Sequence, residues 1–267
     1  MTMKRRYANI IKVLLLLVIV VVVVVANVLH RQSAINSVVV VVDYMANDTL
    51  VTSEQLSSSV MEKYRDITNQ AVGSADLEGI RQVVKSNQFV DEADVSVTVS
   101  SDLMIKVTQR TPLVRVYSKK SQFYLDTKGR YMPISQINNQ RVIVANGYIK
   151  KDFSGNIASL DIEALVAANP KAENYDITKI FRLAKYINND KNAKVLFDQI
   201  YLNSNGDMEI VPKLGNHTVV LGDINNLDEK FENLFALYQK GFSKTGWEKY
   251  SSVNLKFKDQ IICTKKQ

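Results

Sequence analysis

The feature that most constrains this chain is an apolar run from Ile10 to Leu29, interrupted only by Lys12 and Asn27. At a rise of about 1.5 Å per residue it makes a helix of about 30 Å, the thickness of a bilayer's hydrocarbon core. Lys12 lies near one end, where its ammonium can reach the headgroups. The run has no polar stripe, so it does not read as the buried helix of a soluble core. It is also longer than the apolar segment of a cleaved leader, and Ala26-Asn27-Val28 lacks a small-x-small cleavage pattern. A retained signal anchor over residues 10–30 is the expectation. Lys4, Arg5 and Arg6 precede it and no acid occurs among the first twelve residues. By the positive-inside rule residues 1–9 form a cytoplasmic stub, and the mass beyond the anchor lies on the far side of the membrane.

The formal charge of +7 first suggests nucleic acid or an anionic surface. Its distribution argues against nucleic acid. The excess sits in the basic residues around the anchor and in residues 240–267, where seven lysines face Glu248 and Asp259. The sequence between them is slightly acidic, with no basic stripe interleaved with aromatics. Cys263 is the single cysteine, which excludes an internal disulfide and any thiolate cluster.

After a polar link at residues 31–37, Val38 to Val42 is a β-branched run of strand length. Thr52 and Gln55 have capping-box spacing, and Leu56, Val60, Met61 and Tyr64 recur on one helical face. Asp76 caps a second helix with Leu77, Ile80, Val83 and Val84 inward, ending near Asn87. The period then changes to two. Ala93, Val95, Val97 and Val99 alternate with polar residues, and after a turn at Ser100 to Asp102 so do Leu103, Ile105 and Val107. The order strand, helix, helix, strand, strand over residues 37–110 resembles a POTRA domain, in which two helices cover a three-stranded sheet.

Arg110-Thr111-Pro112 closes this module, because Pro112 cannot continue a central ladder. Residues 111–264 then read as a β domain. Strands are expected at 113–117, 122–125 and 141–145, with turns at Asp126 to Gly129 and at Asn146-Gly147. A helix with Ile177, Ile180, Phe181, Ala184 and Ile187 on one face interrupts them. Strands at 199–203 and 208–211 flank Asn205-Gly206, and Thr218 to Leu221 forms another, ended by Gly222. A helix begins after Asn226 with Asp228 and Glu229 in its first turn. It would bury Phe231, Leu234, Phe235 and Tyr238 and stop at Gly241. Trp247 follows in a linker, then Val253, Leu255 and Phe257 alternate with polar residues, and a tight Asp259-Gln260 step leads into Ile261 to Thr264. The fold class expected is α+β: an N-terminal transmembrane helix, a POTRA-like βααββ domain, then a mostly antiparallel β domain with flanking helices.

The material for catalysis is sparse. His30 belongs at the membrane border, His217 in a turn before a strand, and Cys263 in an apolar strand, so no catalytic residue and no metal ligand is assigned. There is no P-loop and no G-x-G-x-x-G, and no cofactor is expected.

The arrangement resembles the bacterial FtsQ/DivIB cell-division family. The resemblance is carried by Arg110-Thr111-Pro112, by Tyr124-Leu125-Asp126-x-x-Gly129, by Val220-Leu221-Gly222 followed by Lys230 and Leu234, and by the terminal strand from Tyr250 to Phe257. It implies a single-pass type II protein of the inner membrane, periplasmic in bulk and placed at the division septum. It also implies a non-catalytic scaffold that recruits FtsB/FtsL-type bitopic proteins and, through them, the septal peptidoglycan synthase complex. If Ser251 to Phe257 lies at a sheet edge, its backbone can pair with a partner strand. Lys256 and Lys258, on the face opposite Val253, Leu255 and Phe257, would then meet acidic groups, with Trp247 and Tyr250 as aromatic anchors. The expected partner-binding set is Trp247, Tyr250, Ser251, Ser252, Val253, Asn254, Leu255, Lys256, Phe257 and Lys258. A periplasmic enzyme or an envelope-assembly factor with a POTRA-like domain is the alternative.

Overall fold

The structure, a computed structural model, describes residues 2–44, 49–119, 121–137, 140–150, 156–258 and 260–266, with side chains from Ile11 onward except that of Thr245. The chain divides into two compact units, Met1–Gln109 and Arg110–Gln267.

The first unit opens with helix α1 (Thr2–Gln32). Its segment Ile11–Gln32 is long and apolar enough to cross a membrane, and every side chain from Ile11 to Leu29 is exposed. Strand β1 (Val38–Asp43) follows. Helix α2 (Ser53–Lys63) starts at a complete capping box: Thr52 accepts from the Gln55 amide, and the Gln55 side chain accepts from the Thr52 amide. Helix α3 (Leu77–Lys85) begins where Asp76 accepts from the Gly79 amide. Strands β2 (Val90–Val97) and β3 (Leu103–Gln109) complete the order. The sheet runs β1-β3-β2, with β1 parallel to β3 and β2 antiparallel to it. Leu56 and Val60 of α2 and Ile80 and Val84 of α3 share a core with Val95, Leu103, Ile105 and Val107.

Three expectations change in this unit. Residues 31–37 are not a free link, because Ile35 is buried and the Ile35 amide bonds the Gln70 carbonyl at 3.0 Å. Met61 faces solvent, since α2 ends its buried stripe at Val60. Val99 leaves the inward stripe: β2 ends at Val97, and the Val99 side chain is 97% exposed on the turn that follows.

In the second unit, nine strands form one sheet in the order β12-β11-β10-β9-β8-β7-β4-β5-β6. They are β4 (Pro112–Tyr117), β5 (Gln122–Asp126), β6 (Tyr131–Met132), β7 (Ile143–Gly147), β8 (Phe197–Leu202), β9 (Met208–Pro212), β10 (Thr218–Gly222), β11 (Tyr250–Phe257) and β12 (Gln260–Lys265). The sheet is mostly antiparallel. Three neighbouring pairs are parallel, β4–β7, β7–β8 and β10–β11, and each needs a crossover. β4 returns to β7 by way of β5 and β6, β7 reaches β8 through α4 (Ile162–Ala168), α5 (Asp176–Asn189) and α6 (Lys191–Leu196), and β10 reaches β11 through α7 (Leu227–Leu237). Ile180, Phe181 and Ala184 of α5 and Phe231 and Leu234 of α7 share one core with Val114, Ala145, Ile200, Ile210, Val219 and Val253 of the sheet. Each such large apolar side chain, once buried, contributes about 1.5–3 kcal/mol. The chain is thus α+β, with an N-terminal apolar helix and a large, mostly antiparallel sheet flanked by helices.

Asn146-Gly147 is not a turn here. Gly147 ends β7 in parallel register with Leu202, at φ +109°, and a Cβ there would meet the Leu202 carbonyl oxygen at 2.2 Å. Nor does Gly241 stop the last helix. α7 runs on as a π-helical turn, Tyr238–Phe242, and a short turn, Ser243–Thr245, before Gly246 at φ +89° ends it. Burial of Tyr238 and Phe242 outweighs the helix-breaking tendency of Gly241. The predicted Asp259-Gln260 step lies partly outside the described residues, at Asp259.

Candidate partner-binding edge

The local motifs acquire physical reasons in the second unit. Asp126 is 1% exposed and collects bonds from two guanidinium groups: Arg110 Nε and Arg130 Nε each donate to Oδ2 at 2.9 Å. Its other oxygen accepts from the amides of Lys128 and Arg130, which folds the β5–β6 turn around one carboxylate. Gly129 completes the turn at φ +79°, a backbone shape that disfavours a side chain, and a Cβ there would lie 3.1 Å from both Ile162 and Phe181. At the other end of the sheet, Lys230 reaches back from α7. Its ammonium donates to the carbonyls of Leu221 and Asp223 at 2.9 Å and to the Asp223 carboxylate at 2.7 Å. That carboxylate is held below the usual range by the Lys230 and Asn225 hydrogen bonds, which outweigh the upward push of its burial.

The sheet's two ends differ. β6 is short and closed over by the chain that follows, since the Tyr131 amide bonds the Leu160 carbonyl at 2.8 Å and the backbones of Arg130 and Asp161 form an isolated antiparallel β-bridge. β12 is the last strand at the opposite end and pairs only on its β11 side among the described residues. Ile261 and Cys263 pack toward the core, whereas Gln260, Ile262 and Thr264 are exposed, with Ile262 at 40%. Burial pushes the Cys263 thiol above its ordinary range, against any nucleophilic role. A polar cleft lies beside this edge, between Asn226 and Lys230 of the α7 start and Phe257, Lys258 and Ile261 of the β11–β12 hairpin.

The residues expected to bind a partner fall one strand inward of the free edge. β11 is flanked on both sides: Ser252, Val253 and Asn254 register with Thr218, Val219 and Val220 of β10, and with Thr264, Cys263 and Ile262 of β12. Ser251 to Phe257 is therefore not an edge, and this corrects the sequence reading. Val253 and Leu255 are buried as expected. Phe257 is instead 50% exposed, because the register shifts between Asn254 and Phe257 and the alternation of faces shifts with it. Lys256 pairs with Asp207 at 2.7 Å and lies against Gly222, while Lys258 is exposed beyond the strand's end. The Ser251 hydroxyl donates to the Thr264 carbonyl.

Trp247 and Tyr250 are drawn into an intramolecular aromatic cluster. Tyr250 stacks on Phe242 at 4.9 Å and 5°, and Trp247 lies 4.7 Å from Tyr238. His217 sits edge-on to both Tyr238 and Phe242, 3% exposed, with Nε2 2.8 Å from the Tyr238 hydroxyl. Burial, and then the Lys266 charge, lower the His217 pKa; burial raises that of Tyr238. Such a cluster holds the β11 start in place. Among the described residues no group of three or more His, Cys, Asp or Glu is placed to hold a metal ion.

As a binding element β12 was passed over by sequence reasoning. The segment Ile261 to Thr264 was recognised after the tight step, but its place at the rim depends on β11 pairing with β10 across the α7 crossover, a contact that no local pattern encodes.

No curated protein matches the chain. A family profile does: the FtsQ/DivIB, C-terminal related model matches residues 111–264, the whole β-sheet unit from β4 to β12. Since that match covers more than half of the sequence, the chain belongs to the FtsQ/DivIB, C-terminal related family, whose membership points to a role in cell division.

Proposed function

We propose that this protein is a non-catalytic organiser of septal cell-wall synthesis, which captures an extended segment of a small bitopic division protein along the free side of β12. The observation that carries the reading is the asymmetry of the nine-stranded sheet: among the described residues one terminal strand is covered and the other has a partner strand on one side alone. An open strand offers a row of backbone N–H and C=O groups, and an added strand gains main-chain bonds there while side chains set selectivity. Ile262 and Phe257 supply exposed apolar surface beside that row, and Lys258, Lys265 and Lys266 supply positive charge for acidic partner residues. The residues first expected to bind, from Trp247 to Lys258, act in this reading as the strand and aromatic cluster that hold β12, with Phe257 and Lys258 facing the partner directly.

The family resemblance supplies the rest. The partner is of the FtsB/FtsL type, and through it the septal peptidoglycan synthase complex is recruited. The helix α1 is a signal anchor with its N-terminus inside, the bulk is periplasmic, and the first unit is a POTRA-like module. Two proline variants test the strand-addition reading. In a strand, successive amides point to opposite sides, so of Ile262→Pro and Cys263→Pro one removes an inward donor and the other an outward donor. The variant that keeps the fold, judged by its unfolding midpoint, should lose capture of FtsB-type partners. Capture that survives in a folded variant of each kind overturns the edge as the binding site. Depletion in growing cells should give filaments without septa; normal division with altered envelope chemistry overturns the scaffold reading itself.

A further inference from the structure

The end of α1 is built into the first unit, with no flexible segment between. One residue after the helix ends, the Ser33 carbonyl accepts from the Val72 amide at 2.9 Å, and the Ile35 amide donates to the Gln70 carbonyl. On the other side stands the turn between β2 and β3. The Ser33 hydroxyl lies 2.7 Å from the Ser101 hydroxyl, the Asn36 amide donates to the Ser101 carbonyl at 2.9 Å, and the Ser37 hydroxyl donates to Asp102 at 2.7 Å. Ser101 adopts φ +63°, an uncommon conformation for a residue other than glycine, and is 6% exposed. Its hydroxyl also faces His30 Nδ1 at 3.5 Å. A strained residue held by several partners at one point marks a built contact.

This contact fixes the height of the turn. Ser33 lies four residues past Leu29, the last apolar residue of the run, which is about 6 Å along the helix axis. The headgroup layer on each side of a bilayer is about 5–8 Å deep. Ser101, bonded to Ser33 and facing His30, therefore stands within that layer if α1 spans the membrane. Val99 is two residues away and 97% exposed, the most exposed large apolar side chain among those described. Its neighbours on the turn, Thr98, Ser100 and Ser101, are small and hydroxylated and suit a headgroup environment. A lone exposed valine is ordinary elsewhere on a protein surface. Here its position, tied to the end of the span, selects lipid as the occupant.

We infer that the turn Thr98–Asp102 is a membrane-contact element: it clamps the end of α1 and lays Val99 into the headgroup layer of the leaflet where the span ends. The inference rests on the reading of α1 as a membrane span, but not on its direction. The first unit and its helix then move as one body on the bilayer surface.

The test uses the full chain with Cys263→Ser, reconstituted into vesicles of phosphatidylcholine and phosphatidylglycerol that carry a nitroxide lipid labelled near the headgroup. An environment-sensitive fluorophore is placed on Val99→Cys or, at the far end of β2, on Glu92→Cys. Quenching at position 99 should exceed that at 92 several-fold, and a Gly-Ser spacer inserted between Gln32 and Ser33 should remove the difference. Equal quenching at the two positions in a chain that resists carbonate extraction overturns the contact alone. Extraction by carbonate overturns the span and the contact with it.

Discussion

At the scale of single residues, two buried polar groups carry the sharpest expectations. Asp126 is approached by two guanidinium groups while its own side chain is 1% exposed, and Arg110 is 9% exposed. A desolvated pair of this kind adds little over an apolar core, but removal of one partner is costly because the other charge stays buried. Asp126→Asn keeps the shape of the turn and removes the anion, so it should lower stability by about 2–3 kcal/mol, read from the urea midpoint. His217 gives a pH dependence of definite sign. Its folded pKa is depressed, chiefly by burial, so the unfolded chain takes up the proton first as pH falls. The stabilisation from a neutral His217 is complete above its ordinary value of 6.5 and declines as pH drops from there toward the folded pKa. Thermal midpoints measured from pH 7.5 to 5.5 should fall, and His217→Gln should flatten that slope whatever it does to absolute stability.

At the scale of elements, Lys230 links β10 to α7. Its side chain is 13% exposed and makes three hydrogen bonds, so the aliphatic stem packs while the ammonium closes the carbonyls at the strand's end. Lys230→Met keeps the packing and removes the donors, and should cost about 1–3 kcal/mol, with faster amide exchange in β10 than in β8 as its local mark. The same region shows which parts of the fold the sequence carries in readable form. The helices α2, α3, α5 and α7 were legible because a stripe at helical spacing and a cap are local statements: Thr52 with Gln55, Asp76, and Ile177 through Ile187 say what they form without reference to distant residues. The strands were legible as strands for the same reason. Their neighbours were not. Asn146-Gly147 has the composition of a hairpin turn, yet it ends a strand because its partner, Leu202, arrives in parallel after three helices. Phe257 keeps perfect alternation with Leu255 in the sequence, and a bulge that depends on the hairpin to β12 turns it outward. For the candidate site, the sequence pointed to Ser251 to Phe257 as a possible edge; that β11 is flanked by β10 and that β12 is the last strand needed the three-dimensional pairing.

At the scale of the whole molecule, the apolar helix sets where binding has consequences. If β12 captures a partner strand as proposed, a chain free in solution and a chain held in a membrane offer it the same backbone groups, so intrinsic affinity should not depend on α1. What α1 changes is concentration. Two proteins anchored in one bilayer search a surface layer instead of a volume, and the second contact becomes effectively intramolecular, which raises apparent avidity by about 10²–10⁴ without any new contact. An exported chain that begins at Arg31 should therefore bind a soluble FtsB-type fragment with an unchanged dissociation constant, yet fail to restore septation in depleted cells. A chain with α1 replaced by an unrelated single span should do both. If the unanchored chain restores division, the helix is dispensable and the site works by affinity alone. If the chain with the unrelated span fails while remaining in the membrane and binding the fragment, α1 contributes more than attachment, and its own side chains, exposed from Ile11 to Leu29, become the place to look for a helix partner.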